Sequence, residues 1–196
     1  MEKAETFITF NTTIANKYHK GFKRTTPIDE IVIHGTGGGS TGEGLLKWME
    51  NYGRVKEYTK GIALFHYLID REGKITQIID PENWVYHSTA GRNDEKTIGI
   101  ELLNPTSDNS GDYTSQQYES LSRIILLFIE KYQITKITSH GWNAMHYSGQ
   151  RKNCPGNNFN LARIKALLQI YEYDFQDISG MGGFSISQIA KKEVKI

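Results

Sequence analysis

The chain has 196 residues, enough for one domain with a full hydrophobic core. Its 38% hydrophobic and 11% aromatic content excludes a disordered chain, and a formal net charge of +1 gives no general attraction to nucleic acid. A single cysteine excludes an internal disulfide and leaves Cys154 as a buried small hydrophobe, a nucleophile or a metal ligand.

The charged start Met1-Glu2-Lys3-Ala4-Glu5 lacks the apolar run and cleavage site of an export signal. A cytoplasmic location at synthesis is therefore expected, unless another route releases the protein. The longest apolar run, Ile124 to Ile129, is too short to span a bilayer, so no stable membrane insertion is expected. Residues 1–28 read as an N-terminal arm. Within it, Phe7 to Phe10 is a candidate strand. Lys17 to Arg24 holds four basic residues and His19, and reads as a solvated segment, or as one that packs beside the site or touches an anionic polymer.

Three β-branched residues, Ile31-Val32-Ile33, predict a short buried strand that delivers His34 to a sharp turn at Gly35-Thr36-Gly37-Gly38. A side chain at the end of a rigid strand is well held for metal binding or catalysis. Gly37, Gly39 and Gly42 fit G-x-G-x-x-G, a dinucleotide fingerprint. The elements downstream argue against a dinucleotide fold. The helix expected over Glu43 to Tyr52 leads into two strands, Leu64 to Asp70 and Lys74 to Ile79, joined as a hairpin through Arg71-Glu72-Gly73. The glycines, Gly37 among them, are instead expected to let a substrate approach the backbone beside His34.

Pro81 to Trp84 reads as a turn, and Trp84 to Ser88 leads into a glycine-bearing loop. Thr97 to Leu103 is a strand in which Glu101 shares a face with Gly99 and Leu103. After a polar loop, Thr114 or Ser115 caps a helix with Tyr118, Leu121, Ile125, Phe128 and Tyr132 on one face. Lys136 to Ser139 is a strand ending in His140, and a loop is expected from there through Cys154-Pro155-Gly156. Leu161 to Tyr171 reads as a helix, and residues 177–196 as a tail: an added strand, a flexible end or a docking segment. Strands and helices interleave without strict alternation. This predicts a single α/β domain over residues 29–176, a mixed sheet with helices on its faces.

Six histidines are present, and most histidines in a globular protein are structural or solvated. His34 and His140 stand out because each directly follows an expected strand. Strands that end on the same sheet edge would bring both imidazoles together, with Cys154 following in the next loop. Two nitrogens and a thiolate suit tetrahedral zinc with water in the fourth position. His146 is the alternative second ligand, and Cys154 with a histidine base is the rival nucleophile. His66, inside a strand, reads as structural, whereas His87, at the start of a loop, is a candidate for substrate contact. Glu101 in an apolar strand is a costly burial unless paired or functional, so it is either a general base or an edge residue in solvent. Lys152, two residues before Cys154, lies close to any metal held there and suits an oxyanion, or is an ordinary surface lysine.

Taken in order and spacing, six pieces resemble one family. They are Ile31-Val32-Ile33-His34-Gly35-Thr36, Phe65 to Gly73, Trp84-Val85-Tyr86-His87, Thr97 to Leu102, Tyr113-Thr114 through Gln117-Tyr118, and Arg151 to Gly156. The chain resembles the zinc-dependent N-acetylmuramoyl-L-alanine amidases of the second type, related to peptidoglycan recognition proteins and phage lysozyme-type amidases. The resemblance runs from about Asp29 to Leu168. It implies a peptidoglycan-recognition-protein-like amidase fold with one zinc in a surface cleft, held by His34, His140 and Cys154. It implies Glu101 as the catalytic carboxylate and Lys152 as the accompanying lysine. Phage-type members use a Tyr just before the hairpin histidine. Phe65 stands there instead, so Glu101 carries that role, and Phe65 is expected to line the substrate site with Gly37 and His87. The implied reaction is hydrolysis of the amide between N-acetylmuramic acid and L-alanine, in peptidoglycan or in muropeptides, by a monomer, for wall lysis or recycling. A non-catalytic peptidoglycan receptor on the same fold is the alternative.

Overall fold

Ile31, Val32 and Ile33 are each 0% exposed, as a central parallel strand covered on both faces requires. The computed structural model describes residues 8–10, 21–51, 65–88, 93–169, 175–178 and 182–186. Its strands are β1 (Ile8–Phe10), β2 (Phe22–Lys23), β3 (Glu30–Gly35), β4 (Tyr67–Ile69), β5 (Ile75–Gln77), β6 (Asn83–Trp84), β7 (Thr97–Leu102), β8 (Lys136–Ser139), β9 (Phe175–Ile178) and β10 (Gly183–Ile186). Its helices are α1 (Gly42–Asn51), α2 (Ser115–Lys131), α3 (His140–Ser148) and α4 (Leu161–Gln169).

Eight strands form one mixed sheet in the order β1-β5-β4-β7-β3-β8-β10-β9, and β2 pairs with β6 separately. The four central strands run parallel, while β5 and β10 run antiparallel to β4 and β8. The expected β4–β5 hairpin is present, turning at Gly73 with a φ of 82° that glycine adopts without cost. That hairpin, rather than a second βα unit, follows α1, so the glycine loop is not part of a dinucleotide fold.

Alternation along the strands sorts their side chains onto two faces. Ile31, Ile33, Ile98, Ile100, Ile137 and Ile69 meet Leu121, Ile125 and Phe128 of α2 and Ile164 and Leu168 of α4 in the main core. Helix α2 begins at Thr114, whose side chain and that of Gln117 form a capping box. The opposite face carries Leu68, packed with Met49 of α1 and with Phe65, Ile78, Ile79 and Val85. His34 and Glu101 lie on this second face.

The structure differs from the sequence reading in one place and narrows it in three others. The stretch after His140 is not a loop but helix α3, capped by Ser139 accepting from the Trp142 N–H at 3.1 Å. Part of the tail forms a hairpin, β9–β10, that adds to the open edge of β8, the added strand among the readings of the tail. Strand β1 likewise pairs with β5 from within the expected arm. Arg24 is not solvated; its guanidinium donates to the carbonyls of Pro81, Asp94, Glu95 and Thr97. Residues 17–20 and 187–196 lie outside the described segments.

One buried carboxylate ties the second face together. Glu30 is 0% exposed. Its Oε1 accepts from Thr138 Oγ1 at 2.6 Å and Asn143 Nδ2 at 2.7 Å, and its Oε2 from Asn93 Nδ2 at 3.3 Å, with Lys136 Nζ also at 3.3 Å. Thus β3, β8, α3 and the turn before β7 converge on one side chain. Glu30→Ala leaves those donors and a half-buried ammonium without their acceptor, and should destabilise the fold by about 3–5 kcal/mol in urea unfolding. Glu30→Gln, which keeps an acceptor oxygen, should cost less. A loss below about 1 kcal/mol for the alanine variant would show that Glu30 is not a clamp.

Candidate functional site

Register builds the site. In the parallel pairing of β3 with β7, His34 lies opposite Glu101, and in that of β3 with β8, Ile33 lies opposite Ser139, the residue before His140. His34, Glu101 and His140 therefore stand level at one edge of three adjacent strands. The chain returns to this edge at Cys154, where the Gly141 N–H donates to the Cys154 carbonyl at 2.7 Å and the Gly35 N–H to Sγ at 3.3 Å. A side chain on Gly141 would meet Lys152 O at 2.6 Å, so the bare glycine lets the cysteine loop close on α3.

His34, His140 and Cys154 each offer a ligand atom, and these atoms all lie within 4.8 Å of one another. His34 Nδ1 is 3.1 Å from His140 Nδ1 and 4.0 Å from Cys154 Sγ. Zinc bonds of about 2.0–2.1 Å to nitrogen and 2.3 Å to sulfur, spread tetrahedrally, put two nitrogens about 3.3 Å apart and nitrogen and sulfur about 3.6 Å apart. The two spacings from His34 Nδ1, 3.1 Å to nitrogen and 4.0 Å to sulfur, agree with these within a few tenths of an ångström. Two imidazoles and a thiolate are the donor chemistry of zinc. His146 does not join them; it is exposed on α3, stacked on Trp142 with ring centroids 4.5 Å apart.

Behind His34 runs a chain of hydrogen bonds. His34 Nε2 is 3.0 Å from His87 Nδ1, and His87 Nε2 is 2.7 Å from Thr97 Oγ1. With Nδ1 of His34 turned to the cluster, Nε2 carries the proton and donates to His87, which in turn donates to Thr97. The His87 ring fits because Gly99 has no side chain; a Cβ there would lie 2.9 Å from the ring. The His87 side chain, a candidate for substrate contact in the sequence, is only 2% exposed and lies against His34. His66, 0% exposed, is satisfied within the sheet: Nδ1 accepts from the Gly99 N–H at 2.9 Å, and Nε2 donates to Asn83 O at 3.0 Å.

At the glycine loop that follows His34 lies a cleft of about 510 Å³. Glu101, 5% exposed, reaches it together with Thr36, Gly37, Leu45, Trp48 and Phe65. Gly37 is exposed, and Phe65, at 3% exposure, is a wall anchored in the core rather than a free ring. Lys152 is exposed and shares with Cys154 the lining of a second cavity of about 530 Å³ beside α3. Asn109 escaped the sequence reading, and Tyr113 entered it only as part of the family resemblance, with no role at the site. Tyr113 Oη donates to Pro155 O at 2.6 Å, and Asn109 Oδ1 accepts from the Gly37 N–H at 2.9 Å. Both hold the loops that carry His34 and Cys154, and only the left-handed preference of asparagine marked position 109.

A family model described as N-acetylmuramoyl-L-alanine amidase matches residues 24–157. A comparison with curated proteins gives no match. Among solved structures, the chain is similar to the N-acetylmuramoyl-L-alanine amidase LysC from Clostridium intestinale URNW, at 22% identity and a TM-score of 0.59, covering 83% of this chain and 97% of that one. It is similar to a selenomethionine derivative of AmpD, at 20% identity and a TM-score of 0.64, over 83% and 94% of the two chains. It is also similar to human PGRP-IβC in complex with glycosamyl muramyl pentapeptide, at 16% identity and a TM-score of 0.61, over 85% and 96%. These likenesses show a shared fold. No helix among the described residues is long and apolar enough to cross a membrane.

The buried rings predict an acid-sensitive fold. Burial first, then the charges of His140 and Arg24, hold the His87 pKa down at about 3, and burial with Arg24 holds His66 well below its ordinary value. Both are neutral in the fold, but titrate near 6.5 once unfolded. The unfolded chain thus binds more protons below that pH, so this stability is complete above about pH 6.5 and drains away as pH falls toward the folded values, at about 1.4 kcal/mol per pH unit for each ring. Burial pushes Asp94 upward, an opposing effect. Urea midpoints of metal-free protein should fall steadily between about pH 7 and 5.5. A midpoint that does not move across that window would mean that the rings are not held neutral.

Proposed function

Because the chain belongs to the N-acetylmuramoyl-L-alanine amidase family, we propose that it hydrolyses, with zinc, the amide bond between N-acetylmuramic acid and L-alanine in peptidoglycan or muropeptides. The observation that carries this reading is the β3–β7 register, which sets Glu101, in the lining of a cleft, level with His34, one of the three clustered donors. Those three residues would hold the metal. Zinc bound there supplies a Lewis acid that polarises a carbonyl and brings the acidity of water toward neutral pH.

The protein's own groups do the rest. His87 keeps the His34 ring in one tautomer and one orientation, with Nδ1 toward the donor cluster. Glu101 takes the proton of the attacking water and returns it to the amine nitrogen, so the peptide leaves as a neutral amine. The Lys152 ammonium stands on the cysteine loop, able to offset charge gathering on the carbonyl oxygen. Leu45, Trp48 and Phe65 give the cleft an apolar wall, and the Gly37–Gly39 backbone lets a ligand approach closely. A muramyl pentapeptide bound to a human protein of this fold supports a peptidoglycan fragment as the occupant. That same neighbour favours a second reading, a receptor that binds without cutting.

Mass spectrometry of purified peptidoglycan, and separately of soluble muropeptides, after incubation with zinc-loaded or chelator-stripped protein separates the two. Stem peptides with a new amino-terminal L-alanine should be released only by the zinc-loaded protein. Binding without release, with zinc demonstrably present, establishes the receptor. Glu101→Ala should retain zinc and lose about 10²–10⁴-fold in turnover, the usual contribution of a general acid–base group. Near-normal turnover in that variant would falsify the role given to Glu101.

A further inference from the structure

Asn109 is the only non-glycine residue with positive φ among the described residues, at 59°, and it is 7% exposed. A left-handed conformation is costly for an ordinary side chain and least so for asparagine, so a buried one persists where its surroundings demand it. The surroundings here are the two loops that carry metal-site residues. Asn109 Oδ1 accepts from the Gly37 N–H at 2.9 Å, three residues after His34. Its Nδ2 donates to the carbonyl of Asn153 at 3.4 Å, one residue before Cys154. Its backbone is clasped as well: a Cβ on Gly156 would lie 2.0 Å from Asn109 O, and one on Gly35 would lie 2.5 Å from Oδ1. Both neighbouring positions are glycine, and the asparagine fills the gap between them.

We infer that Asn109 is a positioning residue that fixes the cysteine loop against the end of β3, and so sets the distance between Cys154 Sγ and His34 Nδ1. It touches neither the donor atoms nor the cleft, and it acts through the Gly37 amide and the Asn153 carbonyl. Asparagine suits the place because one short side chain offers both an acceptor and a donor and tolerates positive φ. Aspartate keeps the first bond and turns the second into a contact between two acceptors. Glycine keeps the backbone conformation and loses both bonds. This inference rests on the zinc reading, and deepens it by naming what holds the third ligand in place.

Cobalt(II) substitution tests it, because the thiolate-to-cobalt band in the near ultraviolet reports Cys154 directly. Wild-type, Asn109→Gly and Asn109→Asp proteins are titrated with cobalt and, in competition with a chromophoric chelator, with zinc. Thermal unfolding of each metal-free protein checks the fold. Asn109→Gly should remain folded, because glycine relieves the left-handed strain, and Asn109→Asp keeps the shape if glycine does not. Both variants should bind zinc about 10–100-fold more weakly, the usual effect of losing a group that orients a ligand. Both should show a weakened or displaced thiolate band. Wild-type affinity and an unchanged band in a folded variant would overturn the inference and leave the zinc reading intact. A wild-type protein that shows no thiolate band with cobalt would overturn the zinc reading, and the inference with it.

Discussion

Everything at this site depends on the pairing of three parallel strands in one register. A parallel ladder fixes which residues stand level, and a slip of one residue would turn every side chain to the other face. Here a slip of β7 would carry Glu101 into the isoleucine core and bring Ile100 toward His34. The core forbids it: Ile98, Ile100 and Leu102 are each 0% exposed on one side, while Gly99 leaves room for the His87 ring on the other. Hydrophobic packing under α2 and α4 therefore aligns the carboxylate with the imidazoles. The same apolar contacts that stabilise the fold thus place the polar groups that act.

Those polar groups are held by neighbours that are neutral or fully paired. Glu30 gathers donors from β8, α3 and the turn before β7. Arg24 directs its guanidinium at main-chain carbonyls at 81, 94, 95 and 97, and so secures the segment that carries His87. Asp94 accepts from the Ser88 amide and hydroxyl. A buried network of this kind is rigid because each lost bond leaves a desolvated group behind. Rigidity suits a site whose ligands come from three separate parts of the chain.

The frame of the site was legible in the sequence because strands announce their ends. Ile31-Val32-Ile33 before His34, and Lys136 to Ser139 before His140, put two imidazoles at strand tips, and Glu101 stood out as a charge in an apolar strand. Helix α3 was not legible. Gly141 within it weakens a helical pattern, whereas the helix is held by the Ser139 cap and by Asn143 bonded to Glu30, a partner 113 residues away in sequence. The role of His87 depends on Gly99 facing it across space, which no local pattern reveals. Arg24 looked like one more solvated cation because its partners are carbonyls, and every residue has one. Phe184 and Ile186 alternate as a half-buried strand should, but a four-residue strand in a tail shows its purpose only when its partner edge is known.

The order in which the ladder is written along the chain has a consequence for synthesis. His34 and His140 are 106 residues apart, and Cys154 follows still later. On a ribosome, β3 emerges long before β7 and β8 can flank it, and β8 emerges before the β9–β10 hairpin can cover its edge. Each nascent intermediate thus carries bare strand edges and an incomplete donor set. The site cannot assemble until Cys154, 120 residues after His34, has left the exit tunnel. The interval before that moment is when the chain is most exposed to wrong pairing and most in need of chaperone protection.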